Sequence, residues 1–222
     1  AIPHRAETVT TSSIPFWTTP WNGLKNRPIA ATAENKTMEN TMKKGLPSSE
    51  GNDITRRTKA IEEGYDFVLS KEVSLSKLDR YNDPDEIKTM KDLSLSYPEG
   101  KSITHLLFCY SDEAMDLVRP LPFLEFLGGY DILLVDLDKC LWNSMSDSET
   151  VLFHKLFQES KKPVYVYLSS DSYPTIPFLK GLCEIGLKGI ILKETGNEKK
   201  TEEIKSSVSV PVYVEKGGII NR

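Results

Sequence analysis

Six short apolar stretches recur along this chain at the spacing of a strand–helix unit, and that rhythm does most to narrow its fold. They open near Tyr65, Ile103, Tyr130, Pro163, Gly189 and Pro211. A strand, its crossover and the next strand take roughly 30 residues or a little more. Each stretch is apolar on both faces, as strands are when a parallel sheet is covered on both sides. Between them lie helical patterns: Thr55–Glu63 ended by Gly64, Ser148–Ser160 with Leu152, Phe153, Leu156 and Phe157 on one face, Pro177–Ile185 stopped by Gly186, and the charged Glu198–Ser207. Asp83-Pro84 and Asp112 mark two further helix starts. Right-handed crossovers then leave two architectures, a closed (β/α)8 barrel or an open doubly wound sheet. With Pro28–Ala33 and Ile14–Thr19 as additional strands, the count and the 222-residue length favour a TIM-like barrel. The chain stops just after a strand at Arg222, which leaves room for a missing terminal helix or strand.

Residues 1–50 break the rhythm. They hold five of the 13 prolines and two of the three tryptophans, with many Thr, Ser and Asn and no sustained period. They read as an extended arm whose aromatics, Phe16, Trp17 and Trp21, pack onto the body or onto a neighbour. Residues 51–222 form the α/β domain, and the arm is the expected contact to a partner protein or a second copy.

Charge and cysteine usage exclude several function classes. The net charge is −4, and the lysine pairs Lys161-Lys162 and Lys199-Lys200 make no clustered basic face, so no nucleic-acid partner is expected. Cys109, Cys140 and Cys183 are odd in number and form no C-x-x-C pair, which suits free thiols in a reducing compartment, the cytoplasm or an organelle matrix. No apolar run reaches the length of a membrane span. The histidines are isolated, and neither a Gly-x-Gly-x-x-Gly nor a Walker loop occurs.

In either architecture ligands bind beyond the carboxyl ends of the strands. The polar residues expected there are Ser70, Lys71 and Glu72; Ser111 and Asp112; Asp136 and Asp138; Ser169, Ser170 and Asp171; Lys193 and Glu194; and Glu215, Gly217 and Gly218. Asp136 and Asp138 offer paired carboxylates for acid/base work. Lys193 ends an apolar strand, where an amine can act as a base or form a Schiff base. The turn Glu215-Lys216-Gly217-Gly218 brings backbone N–H groups within reach of an anion, with Ser169 and Ser170 on the neighbouring rim.

Two resemblances follow from these residues. Pro211–Ile219 looks like the late-strand glycine turn of phosphate-binding (β/α)8 barrels, and Lys193 stands where class I aldolase-like barrels carry their Schiff-base lysine. Thr175, Pro177 and Lys193 also resemble, faintly, the corresponding stretch of type I dehydroquinase. These likenesses imply a lyase, aldolase or isomerase acting on a small phosphorylated or carboxylated substrate, without a cofactor. Separately, Asp136-Leu137-Asp138 after an apolar strand resembles the first motif of the haloacid-dehalogenase-like phosphatases, with Ser169 or Ser170 and Lys193 matching its second and third. That likeness implies magnesium and phosphohydrolase activity. A third expectation, from the arm, is a non-catalytic subunit of a larger assembly.

Overall fold

The structure is a computed structural model, and it describes residues 42–49, 53–74, 103–110, 130–137, 147–169 and 174–222. Among the described residues nine strands lie in one sheet: β1 Lys44–Leu46, β2 Phe67–Leu69, β3 Val73–Ser74, β4 Thr104–Tyr110, β5 Ile132–Asp136, β6 Val164–Leu168, β7 Gly189–Lys193, β8 Val212–Lys216 and β9 Ile219–Asn221. Four helices are described: α1 Asp53–Glu62, α2 Asp147–Glu159, α3 Ile176–Ile185 and α4 Glu198–Ser207. The six strands and four of the helices expected from sequence fall within a few residues of these bounds. The helix starts at Asp83 and Asp112, and the extra strands at Ile14–Thr19 and Pro28–Ala33, lie outside the described residues.

The sheet closes. β4, β5, β6, β7 and β8 pair in parallel, one after the next. β8 turns back into β9, β9 pairs antiparallel with β1, and β1 pairs in parallel with β2. The pairing of β2 with β4 then completes the ring, with β3 continuing the line of β2 along β4. This corrects the open doubly wound alternative. It also changes the regular barrel pattern in one place, because the ring's last strand is the return arm of a hairpin.

Register fixes the geometry of the ring. From Leu106 the partners run to Ile132, climb to Leu134, and cross to Tyr165 and Gly189. They climb to Ile191, cross to Tyr213, climb to Glu215 and cross to Ile220, Gly45 and Phe67. A last climb to Leu69 returns to Leu106. These are four climbs of two residues, an offset of eight, which is the stagger of a TIM barrel of eight strands.

Period-two alternation gives the strands an inward and an outward face. Phe67, Leu69, Leu106, Phe108, Ile132, Leu134, Tyr165, Tyr167, Ile191, Tyr213 and Ile220 fill the barrel, with Met42 among them. Leu107, Cys109, Leu133, Val135, Val164, Val166, Leu168, Ile190, Leu192 and Val212 face outward onto Phe153, Leu156, Phe157, Leu179, Leu182 and Ile204 of the helices. Burial of each such side chain is worth roughly 1.5–3 kcal/mol. The interior is crowded by aromatic rings, and glycines make room for them. A Cβ at Gly189 would lie 2.3 Å from Tyr165 Cε2, and one at Gly45 would lie 2.1 Å from Phe67 Cε2.

Polar side chains on α1 tie the short strands in place. Arg56, buried, donates to the Leu69 carbonyl at 2.7 Å and to the Pro47 carbonyl, joining the ends of β2 and β1. Arg57, also buried, donates to Nδ1 of buried His105 at 2.8 Å. A guanidinium can only donate, so Nδ1 is the acceptor of this bond.

Candidate functional site

The alternation that fills the barrel also aims the strand tips. On β5, Ile132 and Leu134 face inward while Leu133, Val135 and Leu137 face outward, which turns Asp136 inward at the carboxyl end. The same rule turns Tyr110 on β4, Lys193 on β7 and Glu215 on β8 inward, together with Ser169 just past β6. All five stand on the carboxyl-end rim, where enzymes of this architecture bind their substrates. Of the residues expected to form a site, Asp136, Ser169, Lys193 and Glu215 are thus brought to one rim. Asp138 and Ser170 lie outside the described residues.

The rim residues differ in setting. Asp136 is buried at 4% exposure and pairs in register with Tyr167. Ser169 and Glu215 are half-buried, and Lys193 is exposed rather than walled by apolar residues. Lys193 and Glu215 are backbone partners in register on adjacent strands. Below them, the Tyr167 hydroxyl donates to Glu215 Oε2 at 2.7 Å, reaching past β7. The Phe108 ring packs on Tyr167 from the other side, with centroids 4.9 Å apart and planes at 56°.

Tyr167 is the site residue that sequence reasoning missed. Read linearly, Val164–Leu168 is a buried strand, and its tyrosines count as core. The signal was the phenol itself: a hydroxyl on the inward face, one step below the strand tip, requires a polar partner above it.

Gly217 and Gly218, expected to approach an anion, form the two-residue turn between β8 and β9. Both have positive φ, 59° and 80°. That is the backbone a two-residue hairpin needs to match strand twist, and it accounts for both glycines as a turn. On the outer side of the same strands, Lys216 and Glu194 form an exposed ion pair at 2.5 Å. The hydrogen bond to Glu194, helped by its charge, holds the Lys216 ammonium above the usual lysine range.

Where β2 passes into β3, three residues, Ser70, Lys71 and Glu72, oppose two, Leu107 and Phe108. This is a β-bulge at the barrel rim. Buried Ser70 repairs the ladder there: its hydroxyl oxygen accepts from Phe108 N at 2.9 Å and its proton goes to the Lys71 carbonyl at 2.7 Å. That engagement makes Ser70 part of the wall. After Lys193 in the chain, the loop from β7 into α4 lines an open cleft of about 610 Å³ with Thr195, Gly196, Asn197, Glu198 and Lys199. Asn197 caps α4, accepting from Lys200 N at 3.1 Å.

Cys109 sits on the outer face of β4, and burial first, then the Glu72 carboxylate, pushes its thiol far up, which keeps it protonated and inert. Among the described residues no group of three His, Cys, Asp or Glu is placed to hold a metal ion, and no helix is long and apolar enough to cross a membrane. A scan against protein-family models finds no match to this chain, and a search of the curated proteins finds none either.

Proposed function

We propose that this chain is a barrel enzyme of the aldolase, lyase or isomerase kind, acting on a small carbonyl compound that carries a phosphate or carboxylate. One observation carries the reading: a closed barrel of TIM-like stagger turns an amine and two carboxylates, Lys193, Glu215 and Asp136, inward on its carboxyl-end rim. These reactions share one difficult step, removal of a proton from the carbon beside a carbonyl, and that step needs an electron-withdrawing group and a base together. Lys193 supplies the first as an imine with the substrate carbonyl. Asp136 exchanges protons with the substrate oxygens. The N-terminus of α4, at the cleft of Thr195–Lys199, is the proposed place for the anionic group, supported by the helix dipole. Ser169 stands on the same rim as a further donor to that group. The phosphohydrolase alternative, with magnesium at Asp136 and Asp138, draws no support from a ring that closes.

The test is reductive trapping. The chain is incubated with pyruvate or dihydroxyacetone phosphate, treated with borohydride and mapped by peptide mass. The expected result is a stable adduct on Lys193 that disappears in Lys193→Met. Trapping spread over the other lysines, with Lys193 unmodified, contradicts the proposal.

A further inference from the structure

Glu215 was assigned from sequence to the binding of an anion, and its charge argues against that role: a carboxylate repels a phosphate or a second carboxylate. The geometry gives it a different task. Its Oε2 is fixed from below by the Tyr167 hydroxyl at 2.7 Å. Its Oε1 has no hydrogen-bond partner among the described residues. Tyr167 is itself held, 6% exposed and packed on Phe108 at 4.9 Å. A carboxylate with one oxygen tied to a rigid donor and the other outside that bond is a preorganised proton acceptor. Lys193, its partner in register, brings the substrate to that free oxygen.

We infer that Glu215 is the base of the proposed reaction and that Tyr167 is the residue that positions it. The inference rests on the imine reading of Lys193. The lysine amine adds to the substrate carbonyl and one water leaves, forming a protonated imine. Glu215 Oε1 takes a proton from the adjacent carbon. The electron pair of the broken C–H bond becomes a C=C bond, and the C=N pair moves onto nitrogen. Glu215 then returns the proton to carbon, and hydrolysis of the imine restores the amine and the carbonyl. Asp136, across Tyr167 in register, serves the substrate oxygens and not the carbon.

The experiment is deuterium incorporation beside the carbonyl of pyruvate and of dihydroxyacetone phosphate in D2O, read by NMR for the wild-type chain, Glu215→Gln, Tyr167→Phe and the double variant. Glutamine still accepts from the Tyr167 hydroxyl, and borohydride trapping at Lys193 reports that each variant is folded and binds. The expected result for Glu215→Gln is a loss of exchange of about 10²-fold or more with trapping retained. Tyr167→Phe is expected to lower kcat for exchange about tenfold with KM unchanged. That tenfold effect should vanish in the Glu215→Gln background, because a residue acting only through Glu215 has nothing left to act on. Exchange by Glu215→Gln within a few-fold of wild type overturns the inference while the imine reading stands. Independent, additive effects of the two substitutions overturn the role of Tyr167. A wild-type chain that neither traps nor exchanges overturns the imine reading and this inference together.

Discussion

The ring of Tyr165 lies where a side chain at Gly189 would be, on the neighbouring strand and facing the same barrel interior. The two residues are a single packing decision. A large ring at 165 is possible because position 189 contributes no atoms, and Tyr213 stacks on that ring from the next strand with centroids 6.2 Å apart. Gly189→Ala therefore forces Tyr165 out of its place. The expected cost is about 1–3 kcal/mol, read as a lowered thermal midpoint. A Gly189→Ala chain as stable as wild type would show that the barrel interior is not packed in this way.

Arg56 binds the carbonyls of Leu69 and Pro47, which belong to the ends of two three-residue strands. Strands this short hold few ladder bonds, so the guanidinium contributes disproportionately to that side of the ring. Arg56→Met is expected to cost about 3 kcal/mol in urea unfolding, because it removes charged donors and leaves carbonyls buried. Lys59→Met, which breaks only the exposed 3.7 Å pair with Glu63, is expected to change stability by less than about 0.5 kcal/mol. Equal effects from the two substitutions would contradict the role given to Arg56.

His154 on α2 is buried, and burial holds its imidazole below the usual histidine value of 6.5. Above that value both folded and unfolded chains carry it neutral, and it adds no pH dependence. As the pH falls from 6.5 towards the lower folded value, the unfolded chain gains a proton that the folded chain refuses, so stability is lost. The thermal midpoint is expected to fall between about pH 7.5 and about pH 5.5, and to fall less in His154→Gln. An identical fall in the variant would show that His154 is not the group responsible.

The two described cysteines differ in setting. Cys109 is fully buried, and Cys183 is only partly so, its thiol raised by burial and lowered in part by hydrogen bonds from Ser209. Peptide-mapped labelling with iodoacetamide is expected to leave Cys109 unmodified until the chain is unfolded, and to reach Cys183 first of the two. Labelling of Cys109 in the native chain would contradict the packing of β4 against the helices.

The strands that sequence reveals are those with apolar residues on both faces, and β4 to β8 are all of that kind. The two that close the ring escape for physical reasons. β1 is Lys44-Gly45-Leu46, inside the stretch read as an arm; its inward residue is a glycine and its only apolar side chain faces outward, so no apolar run exists to see. β9 follows Gly217-Gly218, and a pair of glycines is equally a hairpin turn and an anion-binding loop until the strand beyond it is known. The rim residues Asp136, Ser169, Lys193 and Glu215 were legible because strand ends are legible. Tyr167 was not, because its bond to Glu215 joins positions on strands that a third strand separates.

Closure of the sheet is what turns these tips towards one another, and the seam runs through β1. The direct measurement is a set of backbone NOEs in an isotope-labelled chain. Contacts from Gly45 to Ile220 on one side and to Phe67 on the other, with Phe67 to Thr104, are the predicted result. Strong contacts throughout β4 to β8 with none on either side of Gly45 would mean an open sheet, and the shared rim would be lost.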